Sequence, residues 1–425
     1  MYARKEDSLA EDNAVNHRPA LPLDLLVDVS SLQAPLTGIG RYTLEILFQL
    51  AQQPERVELR GFNDLRHYEP QALHTLLAAV DAPLDSRASN YSTVLQRALP
   101  LAKNVIKRIP GARRLRSNLQ NKRIARASAQ TQGSIYWQPN FILGETRGPS
   151  MVSVYDLSHE RFPQFHPPER LRWLADGLTS TLEKADHIMT VSHFSKAEIV
   201  SVYGVPAERI SVVYPGVAAS FHCRYTRDEL ALVKQQYRLP AQYLLSLGTL
   251  EPRKNLKALI QAYAKLAPTL RQQFPLVLVG GQGWNHAETD DLIARLESRG
   301  EVIKLGYVPQ AVIPHLYQSA SAFAYVSLYE GFGMPVAEAM ASGLPVLTSN
   351  CASMPEVADG CAELVDPEDI DSISAGLNKL LGELGSSAQG CAAARAVSAN
   401  YSWLSAADSL LNTASILRRG ASTQC

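Results

Sequence analysis

No run of about 18 apolar residues occurs anywhere in the 425-residue sequence, so no segment reads as a membrane-spanning helix. Cysteine is scarce as well. The five present are scattered, odd in number and without paired spacing, which excludes a disulfide framework or a cysteine-based metal site and points to a reducing, cytoplasmic setting. Net charge is also missing: 41 basic residues face 41 acidic ones, so the whole molecule has no field suited to nucleic acid. The opening "MYARKEDSLAEDNAVNHRPA" lacks the apolar core of a secretory signal, and residues 1–20 are expected to form a disordered leader.

One local absence is more informative. Between Ser86 and Gly144 there is no acidic residue, while Lys and Arg recur, among them Arg113, Arg114 and Arg116. Interleaved with "VLQRALPLAKNVIKRI", segment 87–126 has the pattern of a basic amphipathic stretch suited to an anionic membrane surface or an anionic acceptor. A solvated helical face is the competing reading. Few aromatics are interleaved for base stacking, so no nucleic-acid partner is expected.

What is present is the pattern of a buried parallel sheet, twice over. A chain of 425 residues, 46% hydrophobic and 19% charged, is globular and too long for one core. Short apolar runs alternate with helical patterns: 24–30, 57–62, 134–137, 150–156, 187–192 and 210–216 in the first half. The second half repeats the alternation at 243–249, 275–281, 302–308, 322–327, 345–350 and 362–367. Near-continuous apolar strands, each followed by a helix, predict an α/β chain of two Rossmann-like doubly wound domains facing each other across a cleft. We place the first domain at 21–225 and the second at 226–400, with the join in the polar stretch 219–242. The tail 401–425 is expected to supply a helix that crosses back over the join.

In such sheets ligands gather beyond the carboxyl ends of the strands. There "LGTLEPRKNLKALI" brings Arg253 and Lys254 to a helix start after Thr249, a phosphate-binding arrangement. "SLYEGFGMPVAEAMASGLPV" places Glu330 in a loop with Gly331, Phe332, Gly333 and Met334, ahead of a helix that Pro335 opens. Glu338 lies inside that helix. The glycines would let the backbone approach a ligand, and amides from Phe332 to Val336 would face the cleft as an anion site. The two carboxylates in so apolar a run are either structurally paired or turned to a pocket that holds something cationic or something hydroxylated. The phosphate site beside them favours a hydroxylated ligand, with Glu330 and Glu338 gripping opposite ends of one donor.

In the first half, "LTGIGRY" sets Gly38 and Gly40 at the first strand tip, and "VSVYDLSHERFPQFHP" puts Asp156 and His159 beyond another, with His166 a weaker candidate. Ser192 reads as a helix cap at the cleft edge, and "LGYVP" offers backbone groups around Val308 to a base. Metal binding is not expected, because "DID" at 369–371 reads as helix capping and no His and Cys cluster exists.

"LGTLEPRKN", "LGYVP", "SLYEGFGMPVAEAMASGLPVLTSNCASMPEVADGCAELVDP" and "YSW", in this order, resemble the family 4 retaining glycosyltransferases of GT-B fold. That resemblance implies that 226–400 binds a nucleotide sugar while 21–225 faces the acceptor. It implies that Glu330 contacts donor sugar hydroxyls, Glu338 the ribose, and Arg253 and Lys254 the diphosphate, with no cofactor and no metal. "DVSSLQAPLTGIGRY" and "YDLSHERFPQFHP" are similar to bacterial mannosyltransferases that build lipopolysaccharide O-chains from GDP-mannose. The expected partners are then GDP-mannose, a lipid-linked saccharide acceptor and the inner face of the cytoplasmic membrane. A UDP-sugar or another GDP-sugar as donor, and an inactive nucleotide-sugar-binding scaffold, are the alternatives. Two positions depart from the family: Thr249 stands where many members have Arg, and Tyr155 where relatives often have His.

Replacing Arg113, Arg114 and Arg116 by Ser is expected to weaken cosedimentation with anionic liposomes, each cation near the surface being worth about 1 kcal/mol. Equal sedimentation of variant and parent would return the segment to a solvated face.

Overall fold

A computed structural model of the chain describes residues 22–33, 36–63, 66–81, 124, 133–248, 251–281, 287–384 and 388–422. The predicted leader, Thr249 and, apart from Ile124, the basic segment 87–126 lie outside the described residues.

The first sheet has seven strands in the order β3-β2-β1-β4-β5-β6-β7. These are β1 (Leu23–Asp28), β2 (Val57–Phe62), β3 (His67–Tyr68), β4 (Ile135–Gln138), β5 (Ser150–Ser153), β6 (His187–Thr190) and β7 (Ile210–Val212). The second has six in the order β10-β9-β8-β11-β12-β13. They are β8 (Leu244–Leu247), β9 (Leu276–Val279), β10 (Val302–Gly306), β11 (Ala322–Tyr325), β12 (Val346–Ser349) and β13 (Glu363–Val365).

All pairings are parallel except β2 with β3, a two-residue edge strand too short to announce itself as a periodic run. The twelve predicted strands all form, most of them trimmed where the run passes into the tip loop. Every residue of β4, β5, β6, β9, β11 and β12 is buried, as a sheet covered on both faces by helices requires. Among the described residues no helix is long and apolar enough to cross a membrane.

The order of the second sheet reverses between β8 and β11, and that of the first between β1 and β4. A crevice opens outside the strand ends at each reversal, because successive crossovers leave to opposite faces. The loops carrying Arg253 and Lys254 follow β8 and the loop carrying Glu330 follows β11. The sequence order alone therefore delivers these residues to one crevice.

The last helix, Trp403–Ser422, packs on the helix Gly38–Ala51 of the first sheet. Ala406, Ala407, Leu410, Leu411 and Ala414 form its buried stripe, and Arg56 pairs with Asp408 at 2.6 Å. Its entry is held where Val217 N–H donates to Tyr401 O at 2.8 Å. Gly216 is the close approach there, since a Cβ would stand 2.2 Å from Trp403 N.

Gly216→Ala is therefore expected to displace the start of the helix and cost about 1–3 kcal/mol of docking. Faster amide exchange across 403–422 is the readout, and unchanged exchange would show that the join absorbs a methyl group.

Candidate active site

The crevice between β8 and β11 is built around one buried carboxylate. Beyond β8 the chain makes a 3-10 turn, Pro252–Lys254, and enters the helix Leu256–Ala264 through Asn255 at φ 56°. Asn255 Nδ2 secures this left-handed residue by donating to Pro367 O at 2.6 Å. Arg253 and Lys254 are thereby turned back toward β11. Arg253 Nη1 lies 2.9 Å from Glu330 Oε2, and Lys254 Nζ 2.5 Å from Oε1. Oε1 also accepts from the Tyr325 hydroxyl at 2.7 Å and the Ser327 hydroxyl at 2.8 Å. Arg253 further donates to Tyr329 O at 2.6 Å and to Glu251 Oε1 at 2.8 Å.

Glu330 is only 8% exposed. Burial alone would push its carboxyl up, but Arg253, Lys254 and the hydrogen bonds from Lys254 and Tyr325 hold it well below the usual range. Burial, and then the charge on Glu330, raise the Tyr325 hydroxyl, so it remains a donor.

The expectation that neither carboxylate is structurally paired divides here. Glu330 is paired with both cations rather than held apart from them. Glu338, in the helix Met334–Ser342, has no ion pair among the described residues and accepts only from Tyr317, at 3.2 Å. Burial pushes its carboxyl up to about 8, the Tyr317 hydrogen bond opposing only part of that rise.

The glycine loop also departs from expectation. A Cβ on Gly331 would lie 2.1 Å from Tyr155 O and 3.0 Å from Asp156 Cβ, so the backbone that approaches it belongs to the first domain. The Ser192 and Ser195 hydroxyls donate to Gly331 O at 2.6 and 3.2 Å, and the Tyr329 hydroxyl accepts from Leu157 N–H at 3.1 Å. Gly333 does need its freedom, at φ 104° ahead of the helix. Phe332 is buried with its ring against Tyr214 and Tyr401, leaving only its backbone for a ligand. Met334 opens the helix, and Pro335 is its second residue. The expected row of amides is shorter than supposed, because Val336 N–H donates to Gly333 O at 2.9 Å and Pro335 has none.

Facing this crevice, Asp156 follows β5 and accepts through Oδ1 from Ser158 N–H at 3.0 Å and its hydroxyl at 2.7 Å. His159 is buried beside Phe141, its Nε2 without a hydrogen-bond partner, and burial lowers its imidazole against the pull of Glu160 and Asp156. His166 is also lowered, first by burial and then by Arg170, and its Nε2 is likewise unpartnered. The Tyr155 hydroxyl donates to Pro139 O at 2.7 Å, with its ring edge-on to Tyr42.

At the first reversal, Gly38 opens the helix Gly38–Ala51 with nothing within 4 Å of an added Cβ. Gly40 does not face a ligand. Its Cβ would meet Ser31 O at 2.6 Å, so its approach is taken up by the chain itself. Val308 lies beyond edge strand β10 with its side chain buried in the core. Ser192 caps the helix His193–Tyr203 as predicted. Asp369 caps Ile370–Gly382 by accepting from Asp371 N–H at 2.8 Å, as "DID" was read.

Sequence reasoning missed Tyr325, Ser327, Ser195 and Tyr329. For Tyr325, Ser327 and Tyr329 the available signal was the hydroxyls in "AFAYVSLY", since a carboxylate buried beside an apolar strand needs donors from close by, whereas Ser195 had none.

Two facing Rossmann-like domains with charged loops at their reversal points are the GT-B architecture. Residues 36–221 match Glycosyltransferase Family 4, and residues 232–392 match Glycosyl transferases group 1. The O-antigen chain mannosyltransferase B of Escherichia coli is 34% identical over 356 residues, 83% of this chain and 89% of that protein. The serotype-specific mannosyltransferase WbdA of Escherichia coli is 32% identical over 231 residues, 53% of this chain and 28% of that one. The crystal structure of WaaG, a glycosyltransferase involved in lipopolysaccharide biosynthesis, superposes with a TM-score of 0.65 over 92% of this chain and 99% of its own. At 17% identity that likeness speaks for the fold alone. The chain belongs to the group 1 and family 4 glycosyltransferases.

The raised carboxyl of Glu338 has a consequence for stability. Its folded form keeps a proton that the unfolded chain gives up at about 4.3, so its contribution is full below that pH and drains away as pH rises toward about 8. Glu338→Gln is expected to leave the melting temperature unchanged near pH 4 and to raise it relative to the parent at pH 8. Parallel melting curves at both pH values would show that Glu338 ionises normally.

Proposed function

We propose that this chain transfers mannose from GDP-mannose, with retention at the anomeric carbon, onto a growing lipid-linked O-antigen chain at the inner face of the cytoplasmic membrane. The observation that carries the transfer reading is the convergence of Arg253, Lys254 and Glu330 at the β8/β11 crevice, opposite Asp156 and His159. Mannose and the O-antigen acceptor are supported by the names of the relatives that match.

In this reading the diphosphate lies against Arg253 and Lys254. Their remaining hydrogen-bond donors stabilise the leaving GDP as the anomeric C–O bond breaks and an acceptor oxygen bonds to the same carbon, which needs no metal. Glu330 fixes both cations and meets the sugar hydroxyls from the same loop. Gly333 and Met334 contribute backbone, and Glu338 takes the ribose. Gly38, at the first strand tip, faces the donor across the cleft, and the backbone at Val308 borders the base. His159, buried with its Nε2 3.7 Å from Glu160 Oε1, offers an imidazole to a hydroxyl of the transferred sugar or the acceptor.

Incubation with a panel of nucleotide sugars, reading released nucleotide, tests the donor. GDP release from GDP-mannose is expected, and turnover of a UDP-sugar alone would overturn the mannosyl reading. Glu330→Gln should lower transfer by about 100-fold or more, because both cations lose their counter-charge and their aim. Unchanged turnover would sink the assignment of the crevice.

A further inference from the structure

One of the contacts that the second domain makes with the first is at a helix end, through a carboxylate not used so far. Helix His193–Tyr203 follows β6, and its cap Ser192 accepts from Ser195 N–H at 3.0 Å. The first-turn amides of His193 and Phe194 have no partner within their own helix. Both donate across the cleft to Glu356, at 2.8 Å to Oε1 and 3.0 Å to Oε2. The Tyr214 hydroxyl, where the chain leaves β7, donates to the same Oε1 at 2.7 Å. A carboxylate astride a helix amino end is favoured by both the free N–H groups and the dipole.

The same helix end holds the loop beyond β11, since Ser192 and Ser195 donate to Gly331 O. Within the second domain these two gripped segments are tied together. Ser353, just before the helix Met354–Ala358 that carries Glu356, has its hydroxyl 2.9 Å from Glu330 O and 2.7 Å from Phe332 O. The contacts close a ring from Glu356 through Ser353, Gly331 and Ser192 back to His193.

We propose that Glu356 is a positioning residue, the latch that registers closure of the two domains and transmits it to the Glu330–Gly333 loop. Seating the helix end on Glu356 brings Ser192 and Ser195 onto Gly331, the residue next to Glu330, so the loop that carries Glu330 gains its hold from the first domain only in the closed form. This rests on the transferase reading of the crevice. It assigns a conformational role to a residue outside that crevice.

Glu356→Gln tests it, because the amide keeps the size but can accept at only one atom and turns an N–H toward a backbone N–H. Faster amide exchange over 193–203 and a larger radius of gyration by small-angle scattering are expected, with kcat for GDP-mannose reduced about tenfold. Donor affinity, measured by calorimetry with GDP, should stay within about twofold, since no donor contact is removed. Unchanged exchange and scattering would overturn the latch, and GDP affinity falling in step with kcat would make Glu356 a donor-binding residue instead. The exchange and scattering measurements need no substrate, so they stand or fall separately from the GDP-mannose reading. Tyr214→Phe, which deletes one of the three donors and keeps the ring, should shift exchange in the same direction by less. Ser192→Ala combined with Glu356→Gln should lose less than the sum of the two losses, whereas strict additivity would break the ring into independent contacts.

Discussion

Removing the Glu330 carboxylate from water costs several kcal/mol, and only partners arriving from two different strand tips offset it. Arg253 and Lys254 come from beyond β8, Tyr325 and Ser327 from the end of β11. Adjacent parallel strands whose crossovers leave to opposite faces are what bring these tips together, so fold and site solve the same problem. The backbone repeats the link, because Leu328 N–H and the Ser327 hydroxyl both donate to Arg253 O, at 2.9 and 3.0 Å. A change at any one of these side chains leaves a buried charge or donor without its partner.

The second constraint is steric. Gly331 must lack a side chain for the β5 loop of the first domain to seat, and the hydroxyls of Ser192 and Ser195 then reach its carbonyl. The loop that holds Glu330 is thus fixed from both sides, by charges within its own domain and by a helix end from the other. Two domains joined at Gly216 and by the returning helix 403–422 can separate only by giving up these contacts together.

The architecture was legible because parallel strands covered on both faces must be almost wholly apolar, and such runs stand out, as in "PLVLVGG" and "AFAYVS". Strand β3 was not, since two edge residues carry no period. At the site, residue types and loop positions were readable, but partners were not. Nothing in "SLYEGFG" tells whether a glycine faces a ligand or another domain, and Gly331 proves to face the latter. Gly40 was misread for the same reason, its empty side being filled by Ser31. Glu330 and Arg253 are 77 residues apart in the chain, and only the sheet order makes them neighbours.

The charge balance of the crevice gives Glu338 its meaning. Arg253 and Lys254 bring two positive charges, while Glu330 and Glu251, both paired with Arg253, bring two negative ones and Asp156 of the first domain also acts on Arg253, so the cations carry no surplus charge before any diphosphate arrives. In the proposed reading an anionic donor must therefore be held by hydrogen-bond donors left over on the two cations and by backbone amides, rather than by surplus charge. In the same reading, the burial that pushes Glu338 up to about 8 favours a protonated carboxyl there. A neutral carboxyl can both donate to and accept from a ribose diol without repelling the phosphates beside it. Burial thus acts on two carboxylates of one segment with opposite outcomes: two cations hold Glu330 low, while Glu338, with the Tyr317 hydroxyl as its partner, is pushed up.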